Sequence, residues 1–429
     1  MRAFLVIVFA CCAVAAQAAY EFSNVTVIQR WPWEQKVDIE FDVKQPAGRQ
    51  SMRLGARLEV TATVGGISTV LDAATLSDTY VFGEGRKRIV WDPMPQFAQK
   101  DMENVQLSFR TLEEDVPLGY LVVKIDDGSW CYKPLSFSNE VNTTTYKTTH
   151  LAFRYIPSTV SSTWLDMTGG TDTFRIGSDG SRKVELGMND SDIIREKPAT
   201  IRLTKGFFMG VFPLTRAQYA GLGYTLGSTN EVPMRGLNYN FLRGNDTATG
   251  FCYPTNRAVA ADSLIGRLRR RTHLDFDLPT DAQWEYAYRA GSTGEYFFVE
   301  SGDLLTQIKE YAAFDSSAVV GSKKPNPWGL YDLFGCCHQW TTTLACTDSS
   351  ATSATFCQHE DATDPVGGIP TYDNPYRYCK GSHYGALQYN IPKRASRAGY
   401  RLQVPTNTTT SGGEGSVAGC RLALTLDIQ

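Results

Sequence analysis

Asp277-Leu278-Pro279-Thr280-Asp281-Ala282-Gln283-Trp284-Glu285-Tyr286-Ala287 decides how the second half of this 429-residue chain folds. Thr280 and Gln283 have the T-x-x-Q spacing of a capping box, in which hydroxyl and amide each take a backbone N–H that a helix start leaves unpaired. Trp284, Ala287 and Tyr288 then recur at helical spacing and give one apolar face, and Gly291 is placed to end the helix. The box recurs in Thr215-Arg216-Ala217-Gln218. A third helix is expected from an Asp262 cap through Leu264 and Leu268 to Arg269-Arg270-Arg271, because the helix macrodipole favours cations at its C-terminal end.

Upstream of these signals the pattern changes period. Val37-Asp38-Ile39-Glu40-Phe41-Asp42-Val43 alternates apolar and polar residues strictly, as do Val105 to Phe109 and Leu121 to Ile125, with a turn signal at Asp92-Pro93. Such strands close naturally as a small β-sandwich, expected over residues 19–149. The polar, Thr-rich Asn142 to Thr149 is read as the linker to the helix-bearing domain, residues 150–429. From Tyr331 onward, Gly, Ser, Thr, Asn and aromatic residues replace periodic pattern, so long loops are expected there, of the kind that carry function.

Residues 1–18 read as a cleaved signal peptide. Arg2 supplies the positive start, Phe4 to Ala16 an apolar run too short to span a bilayer, and Ala16-Gln17-Ala18 the cleavage site. A lipid anchor at Cys11 is the alternative, but Phe9 suits that signal poorly. No other stretch is apolar for long enough to span a membrane, so export to the periplasm, the cell envelope or the medium is expected, without a transmembrane segment. With Cys11 and Cys12 removed, an even set of cysteines remains: Cys131, Cys252, Cys336, Cys337, Cys346, Cys357, Cys379 and Cys420. An exported chain permits disulfides, and Cys346 with Cys357 is the expected local pair. A formal charge of −3, without a basic stripe, lacks the electrostatic footprint of nucleic-acid binding.

Further blocks extend the helix-bearing region. Lys205-Gly206-Phe207-Phe208-Met209-Gly210 and Leu214 to Tyr219 precede the opening stretch. Pro325 to Gly335, Lys380-Gly381-Ser382-His383-Tyr384, Arg397-Ala398-Gly399-Tyr400-Arg401 and Gly419-Cys420-Arg421-Leu422-Ala423 follow it. In this order, from His150 to Leu426, the blocks resemble the formylglycine-generating enzyme (sulfatase-modifying factor) domain. The resemblance implies an α+β chain: an N-terminal β-sandwich followed by a loop-rich domain with a C-type-lectin-like fold.

For chemistry, the resemblance implies oxidation of a cysteine in a C-x-P-x-R substrate by oxygen and a copper(I) ion held by two cysteines shortly after the Lys380 block. Soft thiolates suit that ion. Here Gly385 to Ser396 contains no cysteine, so copper is not expected, and catalysis is not either. The favoured reading is a non-catalytic module that recognises protein, peptide or glycan. Groove candidates are Cys336, His338, Trp340, His383, Tyr384, Tyr389 and Arg397. The alternative is an active oxidase with relocated Cys/His ligands. The resemblance also implies calcium at Asp332, Gly335, Cys337 and Gln339, where Gln339 stands in place of a Glu.

Overall fold

The computed structural model describes residues 20–30, 34–47, 53–97, 104–244, 259–345, 362–365, 376–388, 391–406 and 417–425. They form two compact units: the described parts of residues 1–120 with 131–137, and those of 121–130 with 138–427. The chain is mixed α+β, with β-sheets at the N-terminal end and all but the shortest helices after them.

In the first unit the alternating stretch forms strand Val37–Lys44, antiparallel to both Glu21–Gln29 and Gly85–Trp91. Leu54–Val64 pairs with Ile67–Val70, Tyr80–Phe82 and the strand starting at Gln106. Val37, Ile39, Phe41 and Val43 share one core with Ala56, Leu58, Val60 and Ala62. The period-2 pattern of each strand thus supplies the apolar face that drives the packing. Asp38 is the exception on its strand, since it is also buried. Arg30 at 2.8 Å and Arg88 at 2.7 Å hold its carboxyl below the ordinary carboxylate range. Asp92-Pro93 opens a helical turn at Met94–Phe97. Leu121 to Ile125 is not a separate strand; its residues continue Gln106–Lys124, and Tyr120 to Val123 are all buried.

In the second unit the capping box at Thr280 forms as expected, with Gln283 N–H donating to Thr280 Oγ1 at 3.1 Å and Thr280 N–H to Gln283 Oε1 at 3.0 Å. The helix runs Asp281–Arg289 and ends at Ala290, φ 45°, one residue before the expected glycine. It is not amphipathic in use, because every residue from Asp281 to Arg289 is buried. Most of its polar side chains find partners instead of water; the Tyr286 hydroxyl has none among the described residues. The cap of helix Leu264–Thr272 is Ser263, whose hydroxyl accepts from Gly266 N–H at 3.0 Å, not Asp262. Arg271 ties that helix down by donating to the carbonyls of Ile125 and Gly221. Within Asn142 to Thr149 lies a helical turn, Thr145–Thr148; Gln218 donates to the carbonyls of Tyr146 and His150.

The largest departure from expectation comes after Tyr331. His338–Leu344 is a fully buried strand in a four-stranded sheet ordered 402–405, 376–380, 338–344, 418–419. A strand covered on both faces has no reason to alternate, which is why His-Gln-Trp-Thr-Thr-Thr-Leu did not read as one. The unit's core joins Trp284, Tyr286 and Tyr288 of the capped helix to Ile156, Phe207, Met209 and Phe334. Among the described residues no helix is long and apolar enough to cross a membrane. The signal peptide and the expected Cys346–Cys357 pair lie outside the described residues.

Candidate functional site

The site is built where two glycine turns interlock. Gly335, at φ +88°, and Gly381, at φ +70°, sit in the left-handed region, and an added Cβ would lie 2.5 Å from Ala312 Cβ and 2.3 Å from the Leu333 carbonyl oxygen respectively. Only glycine allows that approach. Gly335 N–H donates to the Ser382 carbonyl at 2.9 Å, and Cys336 forms a parallel bridge with His383. The two turns therefore bring Cys336, Cys337 and His338 beside His383 and Tyr384.

His338 and His383 stand with ring centres 5.0 Å apart. His338 is fully buried, and its Nδ1 lies 2.7 Å from the Gly381 carbonyl oxygen. A carbonyl only accepts, so Nδ1 carries the proton and Nε2 keeps its lone pair, which has no hydrogen-bond partner among the described residues. Burial first, and His383 second, push His338 down from 6.5 to about 3. His383 Nδ1 accepts from Gly385 N–H at 3.1 Å, and burial followed by the charge of Arg235 lowers its pKa too. Both rings are neutral near pH 7. Cys336 and Cys337 are buried free thiols with sulfurs 3.8 Å apart, and Cys336 Sγ also lies 3.7 Å from the Asp332 carbonyl oxygen. As donor in that contact Cys336 is pushed up and Cys337, the acceptor, is drawn down.

The pH consequence has a definite sign. The unfolded chain takes up a proton at His338 near 6.5, whereas the folded protein resists until about 3. Stability is therefore expected to fall as pH drops from 6.5 towards 3, with this group contributing up to about 1.4 kcal/mol per pH unit. Urea titrations across that range should show a shallower acid limb for His338→Leu; an unchanged limb would show that other groups set it.

Two groove candidates are corrected by their burial. Trp340 is completely enclosed; its Nε1 donates to the Leu237 carbonyl at 2.7 Å and its ring packs edge-on to Tyr239. Arg397 is equally enclosed, bonded to both oxygens of Glu196 at 2.5 and 2.9 Å. Both are core groups and line no opening. Tyr384 is half-buried with the Arg235 guanidinium 4.7 Å above its ring centre, and Tyr389 lies outside the described residues. A pocket lined by Tyr146, Phe153, Phe212, Gln218 and neighbours contains none of the candidates. In the stretch compared with the family's copper ligands, Tyr384–Leu387 forms a tight turn and Pro392–Ala395 one helical turn.

Of the four expected calcium ligands, Asp332 and Gln339 meet through a hydrogen bond, and both are engaged by neighbouring N–H donors. Gln339 Oε1 accepts from both Trp284 Nε1 and Arg421 Nε at 2.9 Å, which leaves its Nε2 to donate to the Asp332 carbonyl at 2.8 Å. Arg421 Nη2 donates to that same carbonyl at 3.0 Å. Asp332 Oδ2 accepts from Gly321 N–H at 2.6 Å, and burial raises this carboxyl to about 6. N–H donors already occupy Gln339 Oε1 and the Asp332 carbonyl, which leaves Gln339 poorly placed to ligate a hard cation. Among the described residues no group of three or more His, Cys, Asp or Glu side chains could hold a metal ion.

Sequence reasoning missed the ion network behind the site. Lys380 Nζ lies 3.1 Å from both Asp281 and Glu285, Arg401 2.8 Å from Asp281, and Arg289 2.7 Å from Glu285. Asp281 and Glu285 were visible four apart on one helix, a spacing that could have flagged them as a pair facing one way. Arg235, a lone loop cation, gave no signal at all.

The family model for the sulfatase-modifying factor enzyme 1-like domain matches residues 168–425, more than half of the chain. The formylglycine-generating enzyme of Mus musculus is 26% identical over 126 residues, which cover 26% of this chain and 33% of that enzyme. The chain thus spans about a third of the length of that relative. Among solved structures, PvdO from Pseudomonas aeruginosa superposes with a TM-score of 0.44 and 17% identity, covering 64% of this chain and 94% of PvdO. Treponema denticola variable protein 1 gives 0.42 and 15%, over 65% and 96%.

Proposed function

The chain belongs to the sulfatase-modifying factor enzyme 1-like domain family, and from that premise we propose that it is an exported recognition module that binds protein, peptide or glycan without oxidising cysteine. The observation that carries this reading is the absence of any cysteine from Gly385 to Ser396, where resemblance to the oxidising relatives places the copper-binding thiolates. Without two soft ligands beside a substrate thiol, the oxidase has no metal to work with. The buried glycine turns keep the Cys336–His383 cluster rigid, and a rigid, preformed site suits binding. We further propose that the N-terminal β-sheets form a β-sandwich and that the family domain has a C-type-lectin-like fold.

One arrangement favours a second reading. Cys336, Cys337, His338 and His383 are neighbours, and although they form no metal-binding group as they stand, an oxidase with relocated Cys/His ligands is the competing proposal. Incubation of a C-x-P-x-R peptide with protein, copper and oxygen separates the two, since only the oxidase yields an aldehyde.

We take the Asp332 to Gln339 loop to be closed by Gln339 and Arg421 rather than by a cation, on the bonds given above. Chelation of calcium-exposed protein should therefore move its melting temperature by less than about 2 °C, roughly the effect of 1 kcal/mol in a chain of this size. A larger fall, reversed by added calcium, would show that a cation closes the loop.

A further inference from the structure

Arg235 is held as if for a ligand. Its Nε donates to the Cys336 carbonyl at 2.9 Å, its Nη1 to the Ser316 carbonyl at 2.8 Å, and its plane stacks on Tyr384 at 4.7 Å. Nη2 is shielded from solvent and has no hydrogen-bond partner among the described residues. No carboxylate among them forms an ion pair with this guanidinium either; the acid that feels its charge, exposed Asp315, is occupied in its own turn by the N–H and hydroxyl of Ser317. A half-buried cation fixed by two carbonyls, with its Nη2 amino group unused, has already lost the side-chain freedom that binding would otherwise cost. An unsatisfied buried donor also favours whatever acceptor arrives.

The geometry points to a carboxylate-binding subsite in which Arg235 Nη2 donates to a ligand carboxylate beside Tyr384 and His383, the ligand displacing the side chains that close this nitrogen to solvent. A singly charged anion matches one free guanidinium nitrogen, whereas a phosphate dianion would call for further cations. This subsite rests on the recognition reading above and names the chemistry of its ligand. The carboxylate can come from an acidic peptide residue or from a uronic acid, and the two share the same contact.

The test uses the full chain with guanidinium-labelled arginine, following the Arg235 Nε–H signal by NMR. The probes are N-acetylglutamate against N-acetylglutamine amide, and glucuronate against glucose. At least one acid is expected to shift the signal and to bind about tenfold or more tightly than its neutral counterpart, as charge-assisted hydrogen bonds require; the tighter acid identifies the source. Arg235→Gln should abolish the preference for acids, and Arg235→Lys, which keeps the charge but loses the planar fork, should retain part of it. Equal binding of acid and neutral probes, no binding of either acid, or an acid preference that survives Arg235→Gln overturns the subsite. Should Arg235→Gln not fold, the wild-type comparison and Arg235→Lys still decide. If the acids fail while the C-x-P-x-R peptide stays unoxidised, the subsite alone is wrong; if that peptide is oxidised, the recognition reading falls whatever the acids do.

Discussion

Replacing Glu285 by alanine is expected to remove about 3–5 kcal/mol of folding stability, the cost of taking one partner from a buried ion cluster. Glu285 is fully buried and accepts from Gly177 N–H and Arg289 at 2.7 Å, Lys380 at 3.1 Å and Arg401 at 3.5 Å. Burial alone would raise its pKa; Lys380, Arg289 and Arg401 outweigh that and hold it low. Without this carboxylate, Asp281 is left to balance Lys380 and Arg401, and Arg289 loses the carboxylate it pairs with. Glu285→Gln keeps the volume and one acceptor, so a smaller loss is expected from it. Urea unfolding, with the slope checked for constancy, measures both. The companion variant Lys380→Met should partly rescue Glu285→Ala, because it removes a cation the first change strands. A loss below about 1 kcal/mol, the scale of an exposed pair, would show that these charges are solvated in the folded protein.

That network also explains which parts of the molecule could be read in advance. Local chemistry was legible: both T-x-x-Q boxes formed, because a hydroxyl and an amide three residues apart need nothing from the rest of the chain. The Val37 to Val43 alternation was legible for the same reason. Whatever depends on distant partners was not. Arg397 looked like a groove anchor because its partner Glu196 lies 201 residues away, and Trp340 because its acceptor is the Leu237 carbonyl. Asp262 was the expected cap, and the choice fell to its neighbour once the backbone placed the Ser263 hydroxyl on Gly266 N–H. The site divides along the same line: Cys336, His338 and His383 were nominated by sequence and do cluster, whereas Arg235 became visible only once two carbonyls and a tyrosine ring were seen to fix it.

No formylglycine is expected from a C-x-P-x-R peptide incubated with this protein, copper and oxygen. Conversion of the cysteine to the aldehyde would remove about 18 Da, so mass spectrometry gives a yes or no answer. In the resembling enzymes the chemistry starts from copper(I) held by two thiolates close to the substrate thiol; here the corresponding stretch offers Ala386, Gln388 and Ile391, and Ala386 is fully buried in a tight turn. None of these side chains ligates copper(I) as a thiolate does. The nearby thiols are poor substitutes as they stand: Cys336 is buried, protonated more firmly than a free thiol and engaged with Cys337 and the Asp332 carbonyl. To bind copper it would have to give up both contacts and a proton, at a site where Arg235 already supplies positive charge. If the 18 Da loss nevertheless appeared, Cys336→Ser and His383→Ala would separate the cases: abolished turnover in both would place the metal at this cluster, and unchanged turnover would send the search for ligands elsewhere in the chain.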